Sequence, residues 1–120
     1  MRQMVIILSA LAWLGWTTST QATARYVSTG GTDSGPATTP GTAWQTIGYA
    51  VTNSVAGDVI HIAAGTYTEA GVAINTNNLT LAGAGKDATI VQAASARSNA
   101  TTRVFTLNAA TTLRGMTIRY

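Results

Sequence analysis

The chain has 120 residues, with seven Lys or Arg against four Asp or Glu and a formal charge of +3, which allows one domain at most. Charges this few, scattered singly, leave no electrostatic footprint for nucleic acid. There is no cysteine, so disulfides cannot make up for a thin core; apolar burial must do so, or the chain must belong to something larger.

The first segment reads as a leader. Arg2 gives a positive start, Val5 to Trp16 is an apolar run broken only by Ser9 and Gly15, and a polar stretch ends in Ala22-Thr23-Ala24. That is the order of a secretory signal peptide with its small-residue cleavage site. The run falls short of the roughly 20 apolar residues that a spanning helix needs. Residues 1–24 are therefore expected to be cleaved, leaving no membrane span and a chain that starts at Arg25. The expected location is secreted, periplasmic or cell-surface. The remainder is rich in Thr, Ala, Gly and Asn, a mixture that suits short strands with many corners and argues against a helical bundle.

Arg25 to Thr29 reads as a short strand, and Gly30 to Gly41 as a loop of Gly, Pro, Ser and Thr. Trp44, Ile47, Val51 and Val55, with Ala50 on the same side, then recur at helical spacing and predict one apolar stripe. Thr46 is placed to cap this helix at its start and Gly57 to close it. Extended patterns follow. In Val59-Ile60-His61-Ile62 the two isoleucines share one face, and His61 lies with Val59 on the other. Ala63 to Tyr67 is expected to turn the chain. Further strands are expected at Val72 and Ile74, at Leu79 and Leu81 (interrupted by Gly83 and Gly85), at Ile90 and Val91, at Phe105 and Leu107, and from Leu113 to Tyr120 with a bend at Gly115. Ala93 to Thr102 reads as a polar loop.

These short strands contain an internal echo. Ile74-Asn75 returns as Leu107-Asn108 33 residues later, and Leu81-Ala82-Gly83 as Leu113-Arg114-Gly115 32 residues later. The physical reading is a solenoid: each copy is one coil, inward Leu, Ile and Val stack on their counterparts, Gly marks corners of positive φ, and extra residues swell one loop. The helix would then plug the first coil, whose open edge otherwise invites association. Residues 25–58 are expected to form an N-terminal strand, loop and capping helix, and 59–120 the first coils. No second cap is apparent, so the pattern predicts the first part of a longer solenoid. The alternative is a small capped domain that associates end to end.

Three segments together carry a family likeness: Tyr26-Val27-Ser28 with Gly31-Thr32-Asp33-Ser34-Gly35; Trp44-Gln45-Thr46-Ile47 leading to Ala50-Val51; and Gly57-Asp58-Val59-Ile60-His61-Ile62-Ala63-Ala64-Gly65-Thr66-Tyr67-Thr68-Glu69. Leu79-Thr80-Leu81-Ala82-Gly83-Ala84-Gly85 and Thr89-Ile90-Val91 complete the series. Over nearly all of Arg25 to Tyr120, the chain resembles the N-terminal region of pectate-lyase-like right-handed parallel β-helix proteins. The likeness implies an all-β parallel β-helix with an N-terminal capping helix. It associates the chain with lyases, polygalacturonases, pectin methylesterases and non-catalytic surface proteins. It also implies that catalytic residues lie in later coils, beyond the equivalent of Tyr120, so none is carried over, and that Ca²⁺ belongs with the full-length protein.

The residues themselves give no cofactor site. A hard cation takes six to eight oxygen ligands, whereas Asp33, Asp58, Glu69 and Asp87 sit in four different turns and read as solvated turn formers. Asp33 is the strongest ion contact of the four, and no site is built on it. No two of them are placed together for glycoside hydrolysis. His61, the one histidine, reads as a solvated strand residue without a partner for acid–base work. Gly83-Ala84-Gly85-Lys86 lacks the spacing and the Ser or Thr of a phosphate loop. Arg114 and Arg119, with Arg103 nearby, are candidates to touch an acidic polymer, against a reading as ordinary surface charge. Tyr67 and Tyr120 suit packing better than sugar stacking. Asn78-Leu79-Thr80 and Asn99-Ala100-Thr101 match glycosylation sequons, which arise easily in a Thr-rich chain. The expectation is an exported β-helix protein that acts on or binds acidic polysaccharide, lyase-type, with its active site past residue 120. A non-catalytic surface or adhesive β-helix is the alternative, and a pectin methylesterase-like hydrolase a weaker one.

Overall fold

The computed structural model describes residues 22–120. The signal-peptide reading of residues 1–24 therefore lies, but for its last three residues, outside the described residues. The described chain is mostly strand, in parallel sheets, with one α-helix. In order it forms β1 (Ala24–Val27), α1 (Ile47–Asn53), β2 (Val59–Ile62), β3 (Gly65–Thr68), β4 (Val72–Ile74), β5 (Leu79–Gly83), β6 (Thr89–Gln92), β7 (Phe105–Leu107), β8 (Thr111–Arg114) and β9 (Thr117–Arg119), with 3₁₀ turns at Pro40–Thr42 and Arg97–Asn99.

Three sheets result: β1-β2-β5-β8, β3-β6-β9 and β4-β7. From β2 onward the chain visits the first, second and third sheet in turn, returns to the first at β5, and repeats. Every strand pair is parallel. The register stacks like on like: Ile60 on Leu81 on Leu113, Tyr67 on Val91 on Ile118, and Ile74 on Leu107. Strands with one covered face alternate side chains in and out, and β2 and β4 show that alternation, with Ile60, Ile62, Val72 and Ile74 buried.

Both sequence echoes are spatial neighbours. Ile74 pairs with Leu107, and the Asn108 amide donates to the Asn75 side-chain oxygen at 2.8 Å, a two-rung asparagine ladder at the same corner. Leu81 pairs with Leu113 and Ala82 with Arg114. At the glycines the expected reason holds for only one copy. Gly115 has a φ of +67°, whereas at Gly83 a Cβ would overlap the Gly115 carbonyl, so close backbone approach is what requires glycine there. The β3–β4 connection takes three residues and the β6–β7 connection runs from Ala93 to Val104, so one loop absorbs the length difference between copies.

Several element expectations are corrected. Gly65–Thr68 is strand β3, not a turn; its single inward residue, Tyr67, gave no alternation to read. β5 runs through Gly83, and Leu113 to Tyr120 is divided between two strands because the positive φ of Gly115 turns the chain onto the second sheet. The helical stripe is also shorter than its spacing suggested. Ile47, Ala50 and Val51 are buried on α1 and Thr46 caps it, its hydroxyl accepting from the Tyr49 amide at 3.2 Å. Trp44 is buried but precedes the helix, in an isolated bridge to Val27. Val55 lies past the Ser54 C-cap and is 60% exposed. Gly57 has positive φ but lies beyond the cap and does not close the helix. α1 packs on β1 and β4, the first strands of the first and third sheets.

Candidate functional site

Three of the four carboxylates of the described chain serve the packing around α1. Asp33 accepts the Gln45 and Thr46 amides at 2.8 and 3.0 Å and the Thr46 hydroxyl at 2.9 Å. Glu69 accepts the Ile47 and Gly48 amides at 2.7 and 2.8 Å, satisfying two donors that a helix leaves free at its start, where negative charge is favoured. Asp58 is not a solvated turn residue. It is 1% exposed, accepts the Val55 amide at 2.9 Å, and pairs with Arg25 Nε at 3.3 Å. The Arg25 guanidinium also donates to the Pro36 carbonyl at 2.7 Å and lies 5.9 Å from the Trp44 ring centroid. Asp87 is exposed beside Lys86. The sequence thus separated residues whose bonds the fold brings to one helix start: Asp33 holds Gln45 and Thr46 just before α1, and Glu69 holds Ile47 and Gly48 in its first turn. Asp33 and Glu69 spend their oxygens on amides and a hydroxyl and Asp58 spends Oδ2 on an amide and Arg25, and among the described residues no three His, Cys, Asp or Glu come together as metal ligands.

The glycine-rich corner at Gly83-Ala84-Gly85-Lys86 holds no phosphate cradle. The Ala84 amide donates to the Thr89 hydroxyl and the Gly85 amide to the Gly115 carbonyl, both at 2.8 Å. Tyr67 is buried and donates its hydroxyl to the Ala63 carbonyl at 2.9 Å. Burial, and after it the Glu69 charge, push that hydroxyl above its ordinary range, so it stays a proton donor in the core. Tyr120 is exposed, with the Arg119 guanidinium 5.1 Å from its ring. Asn78 and Asn99 of the two sequons are exposed.

The chemistry that remains lies on the outer face of the first sheet. Parallel register sets Tyr26 beside His61, His61 beside Ala82, and Ala82 beside Arg114. All four alternate with the inward Ile60, Ile62 and Leu81, but only His61 and Arg114 are exposed; Tyr26 is half-buried and Ala82 is buried. Tyr26 and His61 are stacked, with ring centroids 5.2 Å apart and planes at 22°. A cavity of about 270 Å³ opens over this face, bounded by the two rings, Ser28, Pro40, Ala43 and Ala82. The ion pairs among the described residues are Arg25–Asp58 and Lys86–Asp87, so the exposed Arg114 carries an uncompensated charge.

His61 therefore has a neighbour that the sequence did not reveal, since the β1–β2 pairing is non-local and only register equates positions 26 and 61. The three arginines do not form one surface. Arg114 is on the first sheet and Arg119 on the second, where Arg119 donates to the Gln92 side chain at 3.0 Å and Gln92 to Thr68 at 3.0 Å. Arg103 lies in the connection before β7. Comparison with protein-family models, with curated proteins and with solved structures finds no match for this chain.

Proposed function

We propose that these strands belong to an exported right-handed parallel β-helix of the pectate-lyase-like kind, and that the protein binds acidic polysaccharide on the outer face of its first sheet. The fixed cyclic visiting of three parallel sheets supports the β-helix. Leu107 and Ile118, exposed although their register partners Ile74 and Val91 are fully buried, support further coils stacked on β7, β8 and β9. The observation that carries the binding role is the stacked phenol and imidazole with an uncompensated guanidinium on the outer side of one sheet, where His61 and Arg114 are exposed. Aromatic planes suit the apolar faces of sugar rings, and a guanidinium suits carboxylate. No catalytic residue is assigned within 22–120; lyase-type chemistry would fall to the further coils. Export would follow from cleavage after Ala24.

Affinity electrophoresis of the purified protein through gels containing polygalacturonate, alginate or a neutral glucan tests the reading. Retardation by the polyuronates and not by the glucan is the expected result. Unchanged mobility in all three gels would overturn it.

A further inference from the structure

The cleavage point read after Ala24 does not lie in a free tail. Ala24 is the first residue of β1 and pairs with Val59, and the Thr23 carbonyl, one residue earlier, accepts the Val59 amide at 3.0 Å. On the other side of the same peptide bond, Arg25 pairs with Ile60. The Arg25 side chain is 17% exposed and donates to the Asp58 carboxylate and the Pro36 carbonyl. The far edge of β1 is taken as well: the Tyr26 amide donates to the Ala37 carbonyl at 3.0 Å, and the Trp44 amide to the Tyr26 carbonyl at 2.9 Å. A peptidase takes its substrate as an extended segment with free backbone groups, and cleavage concentrates where backbone is exposed and unbonded. Residues 23–26 are half-buried and held by their neighbours.

Resting on the export reading, we infer that docking of β1 and removal of the leader exclude one another. The Ala24–Arg25 bond is open to a leader peptidase only while β1 is undocked, and a chain that closes its cap first keeps its leader. Hydrolysis adds one water across that bond, leaving a carboxylate on Ala24 and an ammonium on Arg25. It also carries Thr23 away, and with it the acceptor of the Val59 amide. The cap that closes after processing therefore has one rung fewer than the cap of the precursor. Arg25 ties the two events together. It stands first after the cut, and its pairing with the buried Asp58 forms only when the strand is docked, because Asp58 belongs to the corner just before β2.

The test sets the full 120-residue precursor, folded in detergent, beside a synthetic peptide of residues 14–32. Each is incubated with a leader peptidase, and the products are read by mass. The peptide is expected to be cut after Ala24. The folded precursor is expected to be cut at least about tenfold more slowly, because cleavage then follows the small population in which the strand is open. Asp58→Asn, which unpairs Arg25 and keeps the shape, is expected to restore cleavage, whereas Ile74→Val, in the third sheet, leaves the precursor protected. Hydrogen exchange gives a readout that needs no substitution: the Val59 amide is expected to exchange at least about tenfold faster in a chain that begins at Arg25 than in the precursor. Equal cleavage of peptide and folded precursor, or equal exchange of Val59 in the two chains, overturns the exclusion while the export reading stands. So does cutting of the folded precursor after Ala22, ahead of the Thr23 rung. A peptide left uncut overturns the export reading itself.

Discussion

Ile74 and Leu107 occupy one position in successive strands of the third sheet, paired in register, yet Ile74 is fully buried and Leu107 is 48% exposed. Val91 and Ile118 repeat the contrast on the second sheet, where Ile118 is 44% exposed. The opposite end of the sheets is closed. There α1 sets Ile47, Ala50 and Val51 into the same apolar cluster as Ile60 and Leu79, Trp44 lies against β1, and Arg25, Asp33, Asp58 and Glu69 tie loop, helix and strands together. In this architecture burial is conferred by the next layer. The side chain decides only whether it can profit from that layer, so equal residues contribute unequally according to what covers them.

The closed end should break most sharply at Asp58. Asp58→Ala leaves Arg25 without its carboxylate in a largely buried position and frees the Val55 amide, a loss expected to cost about 3 kcal/mol or more. Urea unfolding measures it. A loss under about 1 kcal/mol would show that the pair contributes no more than an exposed one. Next in size is the Ile74 and Leu107 comparison. Ile74→Ala is expected to cost about 2–5 kcal/mol, as truncations in packed cores do, while Leu107→Ala should cost about 1 kcal/mol or less because much of that side chain already meets water. Equal losses would mean that Leu107 is covered in solution, as pairing of a further strand on β7 would cause.

A smaller effect is expected where α1 and the segment after β3 are tied by one side chain. Glu69→Gln keeps the shape but gives up the charge at the start of α1 and turns an amide toward a backbone N–H. The cost is expected to be about 1–2 kcal/mol, with early hydrogen exchange of the Ile47 and Gly48 amides as its local signature. Tyr67 links the same region to pH. Its hydroxyl titrates higher in the folded protein than the ordinary value of 10.0, through burial first and Glu69 second. Its contribution to stability is therefore complete below pH 10 and falls as pH rises beyond that. Tyr67→Phe should cost about 1 kcal/mol at neutral pH and flatten the alkaline decline. An unaltered decline would place its origin in other groups.

What the sequence disclosed about this fold was local or repeated. The strands at Ile60-Ile62, Val72-Ile74 and Phe105-Leu107 follow from alternation, and the Ile74-Asn75 and Leu81-Ala82-Gly83 echoes anticipated actual register pairs because stacking copies must present like residues to one another. The carboxylates were misjudged because their partners are backbone amides 12 to 22 residues away, which no spacing rule reports. The candidate site was illegible for the same reason. Arg114 drew notice as a charge and His61 as a lone histidine, but the row that joins them to Tyr26 exists only once four strands from separate parts of the chain are set in register. Val55 shows the opposite error: helical spacing continued past the point where Ser54 ends the helix.

Ser54 offers the smallest and most diagnostic change at the closed end. It is buried at the C-cap of α1, where its backbone amide donates to the Ala50 carbonyl at 3.0 Å, but its hydroxyl has no hydrogen-bond partner among the described residues. A hydroxyl taken out of water without a partner destabilises the fold, so a residue that fills nearly the same space without it should be tolerated or favoured. Ser54→Ala leaves the capping amide in place and is expected to raise stability by up to about 1 kcal/mol, visible as a higher melting temperature with an unchanged circular dichroism spectrum. A drop in melting temperature instead would mean that the hydroxyl is bonded in solution, by a water held at the C-cap. The closed end would then depend on a hydrated cap as well as on apolar cover.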